Sequence, residues 1–99
     1  MNSVVVNNGK ADIVKDGQTV GSIGHGEIIC AELSPDNSLI LCVTDQGKVE
    51  LRKENGSVHK SVATNAVYAT FEGHDVLVTT MKGKQELRKE NGSLIKVVG

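Results

Sequence analysis

The sequence has very few aromatic residues: it contains no tryptophan, one tyrosine (Tyr68) and one phenylalanine (Phe71) in 99 residues. The core must therefore be built from Val, Ile, Leu and Ala, which bury less area per residue than aromatic rings. A single domain with so few large side chains has a limited core, which favours association with another chain. The scarcity of rings also argues against a base-stacking platform for single-stranded nucleic acid and against an aromatic sugar site.

The chain also lacks a strong net charge and a long apolar run. Its formal charge is −1, so it has no global field that would attract nucleic acid. Residues 1–10 contain no basic segment followed by a long apolar stretch, so we expect neither a secretory signal nor a membrane span. We therefore expect a cytoplasmic protein with no membrane partner, in which both cysteines are reduced.

An internal repeat is the main feature that the sequence does contain. The octamer ELRKENGS occurs at 50–57 and again, letter for letter, at 86–93. Gly-Lys pairs at 9–10, 47–48 and 83–84 mark three copies, spaced by 38 and 36 residues. A regular spacing of this length indicates a repeat architecture. We divide the chain into an incomplete copy (1–24) and two complete copies (25–63 and 64–99).

Within each copy the hydrophobic period is two. Val49 and Leu51 alternate with Glu50 and Arg52, which is typical of a β-strand with one wet face. Near-continuous apolar runs at 4–6, 39–43 and 76–80 predict strands that are covered on both faces.

Three dipeptides predict the tight turns between strands: Asp16-Gly17, Asn55-Gly56 and Asn91-Gly92. Such pairs favour type I′ hairpin turns, in which both central residues have positive φ. Each complete copy then contains four antiparallel strands, and the first copy lacks the first of them. The sequence thus predicts an all-β fold of eleven strands with no helix.

The second copy resembles a WD40-like β-propeller blade. In GHGEIICAELSPDNSLILCVTDQGKVELR, Gly24-His25 precedes the first strand and Ser34-Pro35-Asp36 follows it. The Trp-Asp signature that names the family is absent near Arg52, so the structural tetrad of the family is not carried over. The resemblance implies a β-propeller-like repeat of about three four-stranded blades in one chain.

Three blades do not close a propeller, because propellers typically contain four to eight. An open row of three leaves two exposed edges, which a second copy would remove by closing a ring with twofold symmetry. We therefore expect a homodimeric propeller of six blades. A β-trefoil, which also has three copies of four strands, remains the alternative fold.

The two cysteines allow two interpretations. If the turn at 34–38 is symmetric about Asp36, Cys30 and Cys42 face each other across a hairpin, close to disulfide reach. A change of register by one residue puts them on opposite faces of the sheet. Two free, apolar thiols are the favoured interpretation, and a disulfide is the alternative.

Polar residues of the predicted turns and loops would share one face of a propeller. A ring of lysines around the axis would attract an anion or an acidic partner. The candidate ligand or partner face consists of Lys10, His25, Asp45, Lys48, Thr64, Asn65, Lys82 and Lys84. The charged clusters at 52–54 and 88–90 flank tight turns, and we expect them to form a solvated rim.

No nucleophile–base arrangement, paired carboxylates, phosphate loop or metal-ligand spacing is visible, so we expect no catalytic residues, metal or cofactor. His25, His59 and His74 are separated by 34 and 15 residues, which matches no compact metal motif. We expect a non-enzymatic protein-interaction module whose partners are a second copy and another protein. The alternative is a propeller that binds a small ligand or a glycan on its axial face or between blades.

Overall fold

The computed structural model describes residues 2–99, which form eleven antiparallel strands in three sheets. The strands are β1 (Asn2–Asn7), β2 (Lys10–Lys15), β3 (Gln18–Ile23), β4 (Ile28–Leu33), β5 (Ile40–Thr44), β6 (Val49–Arg52), β7 (Val58–Ala63), β8 (Ala66–Glu72), β9 (Asp75–Thr80), β10 (Gln85–Arg88) and β11 (Leu94–Val97). Sheet 1 contains β1–β3, sheet 2 contains β4–β7 and sheet 3 contains β8–β11, each in chain order. The predicted all-β class and strand number are confirmed.

The three sheets stack in a row, and sheet 2 lies in the middle. Alternate residues of β5 point to opposite sides: Ile40 and Cys42 pack against sheet 1, whereas Leu41 and Val43 pack against sheet 3. All five residues of β5 are buried, which explains the apolar run in this part of the sequence. The row does not close on itself within residues 2–99. No helix among these residues is long and apolar enough to cross a membrane.

The strands of the two terminal sheets are covered on one face only. Val5 in β1 is 52% exposed, and Leu77 in β9 is only partly buried. Within one chain, the runs at 4–6 and 76–80 are therefore covered on one face only, not on both faces as predicted. The reason is their place in the row, because a sheet at either end has a neighbour on one side only.

Glycine carbonyls join neighbouring sheets at equivalent positions. The carbonyl of Gly9 accepts the N–H of Ile28 at 2.9 Å, and that of Gly47 accepts the N–H of Ala66 at 2.9 Å. A Cβ on Gly9 would lie 2.2 Å from a backbone oxygen of the loop before β4. Gly83 holds the same position in sheet 3, and a Cβ there would meet nothing within 4 Å.

The turns differ from the prediction at two of three dipeptides. Asp16 (φ 51°) and Gly17 (φ 80°) both have positive φ, as a type I′ turn requires. In the repeated octamers only the glycine has positive φ, 91° at Gly56 and 93° at Gly92. The type I′ prediction is therefore wrong at Asn55 and at the matching position in the second octamer.

The octamer turns are shaped by the asparagine side chain. The Asn55 Oδ1 accepts the N–H of Ser57 at 3.0 Å, and the N–H of Gly56 bonds to the carbonyl of Lys53 at 2.9 Å. This local side-chain bond to the backbone keeps the asparagine out of the left-handed region. The turn at Asn8-Gly9, for which no turn type was predicted, has the two positive φ values that the octamers lack.

The pairing of β4 with β5 determines the state of the cysteines. Cys30 is paired with Val43, and Ala31 is paired with Cys42, so the two thiols lie on opposite faces of sheet 2. Both cysteines are free. The alternative of a disulfide assumed a loop centred on Asp36, whereas the observed loop spans 34–39 and shifts the register by one residue.

Candidate functional site

Two clefts open at equivalent places in sheets 2 and 3. Each lies where the second and third strands of a four-stranded sheet are joined, on the face turned towards the preceding sheet. The cleft of sheet 2 has a volume of about 180 Å³ and is lined by Glu27, Thr44, Asp45, Gln46, Lys48, Glu50 and Arg52. The cleft of sheet 3 has a volume of about 560 Å³ and is lined by Thr64, Asn65, Thr80, Met81, Lys82, Lys84, Glu86 and Arg88.

The repeat maps the lining of one cleft onto the other. Thr44 and Thr80 both accept a backbone N–H through their hydroxyl oxygens, from the lysine four residues later. The backbone carbonyl of Glu27 accepts the N–H of Asp45. In sheet 3 the carbonyl of Asn65 accepts the N–H of Met81 in the same way. Every residue that lines the smaller cleft therefore has a counterpart in the larger one.

The cleft of sheet 2 contains a compact group of charges. Arg52 is 8% exposed, and its Nε and Nη2 donate to Glu50 Oε1 at 3.1 and 2.8 Å. Its Nη1 donates to Glu27 Oε2 at 3.2 Å. The remaining oxygen of Glu27, Oε1, accepts the backbone N–H of His25. A carboxylate supplied by the chain itself therefore fills this cleft next to the arginine.

The pKa of Glu27 is lowered from its ordinary value. The largest cause is the hydrogen bond from the backbone N–H of His25, followed by the backbone N–H of Glu27 itself. Burial opposes this shift, and the hydrogen bond and positive charge of Arg52 add to it. Glu27 is therefore held as a carboxylate, the form that the guanidinium recognises.

The cleft of sheet 3 keeps the arginine but lacks this carboxylate. Arg88 donates to Glu86 Oε1 from Nε at 3.1 Å, and its Nη2 forms an ion pair with the same oxygen at 3.0 Å. Its Nη1 donates to the carbonyl of Gly92 at 2.7 Å. The position that corresponds to Glu27 is occupied by Asn65, which has no charge. The cleft of sheet 3, which lacks a glutamate at this position, is about three times larger than the cleft of sheet 2.

The turns that border the clefts also differ in charge. Residues 44–48 are Thr-Asp-Gln-Gly-Lys, and residues 80–84 are Thr-Met-Lys-Gly-Lys. The lining of sheet 2 has two cations and three carboxylates, a formal charge of −1. The lining of sheet 3 has three cations and one carboxylate, a formal charge of +2. The larger cleft is thus the one whose field favours an anion.

The structure brings six of the eight predicted face residues into these two clefts. Asp45 and Lys48 line the cleft of sheet 2. The cleft of sheet 3 is lined by Thr64, Asn65, Lys82 and Lys84. Lys10 is exposed at the start of β2, and His25 is exposed in the loop before β4; neither lines a cleft.

The sequence prediction missed the arginines and their carboxylates. Arg52 and Arg88 were assigned to a solvated rim, but both side chains line clefts. The signal was present in the sequence. Arg52 is on the same strand face as Glu50, two residues before it, and the pattern recurs at 86 and 88. A charged pair repeated in register on the face that also carries Ile40 indicates a partly buried ion pair.

Among residues 2–99, no group of three or more His, Cys, Asp and Glu side chains is arranged to hold a metal ion. No model of a known protein family and no curated protein matches the sequence.

Proposed function

We propose that the chain is a non-enzymatic interaction module that assembles with a second copy into a closed β-propeller of six sheets. The observation that carries the proposal is an unused packing face. Leu77 and Leu87 form a cross-strand pair in sheet 3, as Leu41 and Leu51 do in sheet 2. The pair in sheet 2 is buried against the next sheet, whereas the pair in sheet 3 is only partly buried.

The opposite end of the row offers a face that can receive this surface. Val5 and Val14 lie on the face of sheet 1 that is turned away from sheet 2, and Val5 is 52% exposed. Asp12 lies on the same face. Lys96 is on the open face of sheet 3, opposite Leu87 in the strand pairing. The two open faces therefore combine apolar surface with one pair of opposite charges, Asp12 and Lys96, although Glu72 adds a carboxylate to the face of sheet 3.

Twofold symmetry allows these faces to satisfy each other. Sheet 3 of one copy would pack on sheet 1 of the second, and the same contact would form again on the other side of the ring. Each open face would then be covered, as both faces of sheet 2 are within one chain. The turns that line the clefts would form one rim of the ring, available to a protein partner.

The mass of the particle in solution tests the assembly. We expect light scattering to give twice the mass of one chain, and Leu87→Glu to give the mass of a single folded chain because it places a charge in the contact. Val58→Glu is the matched control, since Val58 is 49% exposed in β7 and lies on neither open face. A monomeric wild-type protein would refute the proposal, as would a Leu87→Glu dimer.

A charge exchange tests which faces meet. Asp12→Lys and Lys96→Asp each place like charges across the proposed contact, so each is expected to weaken the dimer. The double variant restores opposite charges and is expected to recover dimerisation towards the wild-type level. Additive weakening in the double variant would show that these two residues do not face each other.

A second candidate function, the binding of a small ligand, is favoured by one observation. The cleft of sheet 3 is about three times larger than its counterpart in sheet 2 and carries a formal charge of +2. Its residues come from sheet 3 and the loop before it, so this cleft exists in a single copy. Ligand binding is therefore testable separately from assembly.

A further inference from the structure

We propose that the cleft of sheet 3 binds a carboxylate group supplied by another molecule, next to Arg88, Lys82 and Lys84. The proposal does not depend on dimer formation. It rests on the comparison of two equivalent clefts within one chain, one of which already contains a carboxylate.

Sheet 2 shows which group the arrangement accommodates. The carboxylate of Glu27 sits beside Arg52, with Oε2 3.2 Å from Nη1, while Glu50 is held on the other side of the guanidinium. Two carboxylates, those of Glu27 and Glu50, thus bind the same guanidinium. An arginine presents its donors in a planar fork that suits carboxylates well.

Sheet 3 repeats the arginine and one of the two carboxylates. Glu86 holds Arg88 as Glu50 holds Arg52, through Nε and Nη2. The place of the second carboxylate is open, because Asn65 stands where Glu27 stands in sheet 2. The Nη1 of Arg88, equivalent to the atom that binds Glu27 in sheet 2, donates instead to the carbonyl of Gly92 at 2.7 Å. Three of the five N–H groups of Arg88 face Glu86 or Gly92 within the described residues, so two remain for a ligand.

The neighbouring turn supplies charge that the arginine alone lacks. Lys82 replaces Gln46, and Met81 replaces Asp45, so the turn gains a cation and loses an anion. Lys84, like Lys48, is present in both clefts. These two replacements make the cleft of sheet 3 more positive, as does the absence of a counterpart to the Glu27 carboxylate. The cleft of sheet 3 therefore favours an anion from another molecule, whereas the cleft of sheet 2 already holds a carboxylate of its own chain.

The ligand is therefore a carboxylate, which has two sources: a small carboxylic acid or an acidic side chain of a peptide. Succinate and a blocked peptide containing two glutamates are suitable probes, measured by isothermal titration calorimetry at constant ionic strength. Binding of succinate would assign the site to small acids. Binding of the peptide alone would assign it to acidic segments of proteins.

The repeat itself provides the test variant. Met81→Asp together with Lys82→Gln turns 80–84 into the sequence of 44–48, which is already folded in this protein. We expect the affinity for the carboxylate probe to fall at least tenfold. The reciprocal variant, Asp45→Met with Gln46→Lys, is the matched control. It leaves the affinity unchanged, because Glu27 still fills the cleft of sheet 2.

Three results would overturn the proposal. They are the absence of binding for both probes, equal binding by the wild-type protein and the Met81→Asp/Lys82→Gln variant, and tighter binding of inorganic phosphate than of either carboxylate. A circular dichroism spectrum and melting temperature for each variant separate the loss of the site from the loss of the fold. Because the measurement concerns one cleft in one copy, its failure leaves the dimer proposal standing, and the reverse also holds.

Discussion

At the scale of single residues, the loop at 34–39 depends on one serine and one aspartate. The Ser34 hydroxyl accepts the N–H groups of Ser38 and Leu39 and donates to Asp36 Oδ1 at 2.7 Å. The same oxygen of Asp36 also accepts from the hydroxyl of Ser38 at 2.6 Å. Hydrogen bonds to the Ser34 hydroxyl and the Asp36 carboxylate therefore hold the loop between β4 and β5. The loop in turn sets the register of the two strands.

A pH dependence follows from these bonds. Hydrogen bonds from Ser38 and Ser34 lower the pKa of Asp36 to about 2. Because the folded pKa lies below the ordinary value of 3.8, this carboxylate stabilises the fold above about pH 4, and the contribution is lost as the pH falls towards 2. Thermal melts from pH 6 to pH 2 measure it. Asp36→Asn is the control, and a parallel decline of its melting temperature would contradict the prediction.

The cysteines show what residue patterns could not determine. The sequence places Cys30 and Cys42 symmetrically around Asp36. They pair only if the loop is centred on Asp36 itself, whereas the observed loop is centred between two residues. That difference of one position decides between facing thiols and thiols on opposite faces. Burial raises the pKa of Cys42 to about 12, so its thiol stays protonated at neutral pH.

At the scale of the elements, the joints between sheets depend on glycine. Gly9 has φ 76°, and its carbonyl is bonded to the first strand of sheet 2. Its missing Cβ allows the loop before β4 to approach closely. The strands and sheets follow from the hydrophobic period of two in the sequence. For this contact between sheets, the only sequence signal is the repeated Gly-Lys pair.

The Gly9→Ala substitution tests such a joint. We expect it to lower the free energy of unfolding by about 3 kcal/mol or more, since it adds a backbone clash to the cost of a left-handed alanine. Gly17→Ala is the matched control: Gly17 has φ 80° with open space around it, so about 1–2 kcal/mol is expected. Urea unfolding measures both. Equal losses would show that the close approach at Gly9 contributes nothing.

The eleven strands were predictable because alternation and turn residues are local signals, whereas the clefts were only partly predictable. Lysines and threonines in the turns could be placed on one rim from their position between strands. The contact between Arg52 and Glu27 could not be predicted, because Glu27 is 25 residues away in the sequence and meets Arg52 only when the sheet forms. The same applies to Leu77, whose exposure depends on the end of the row.

At the scale of the whole molecule, burial is not shared equally among the sheets. Sheet 2 has a neighbour on both faces, and β5 is buried throughout. Sheets 1 and 3 each have one neighbour, and β11 is exposed along its length. In a row of units that contact only their neighbours, the end units open first.

Hydrogen exchange measures this difference. Under conditions where light scattering shows a single chain, or in Leu87→Glu, we expect the amides of β5 to exchange most slowly and those of β11 and β1 to exchange faster. In the proposed dimer, we expect the amides of both terminal sheets to gain protection, because their outer faces would be covered. Equal protection of β1 and β5 in a single chain would contradict this account.

The repeated octamer affects how the chain reaches this arrangement. While the chain is unfolded, residues 50–57 and 86–93 are chemically indistinguishable, so β5 and β9 compete for the same partner strand. Only flanking residues such as Val49 and Gln85 tell the two hairpins apart. We therefore expect refolding at high protein concentration to favour exchange of hairpins between chains, a kinetic cost of building a protein from near-identical copies.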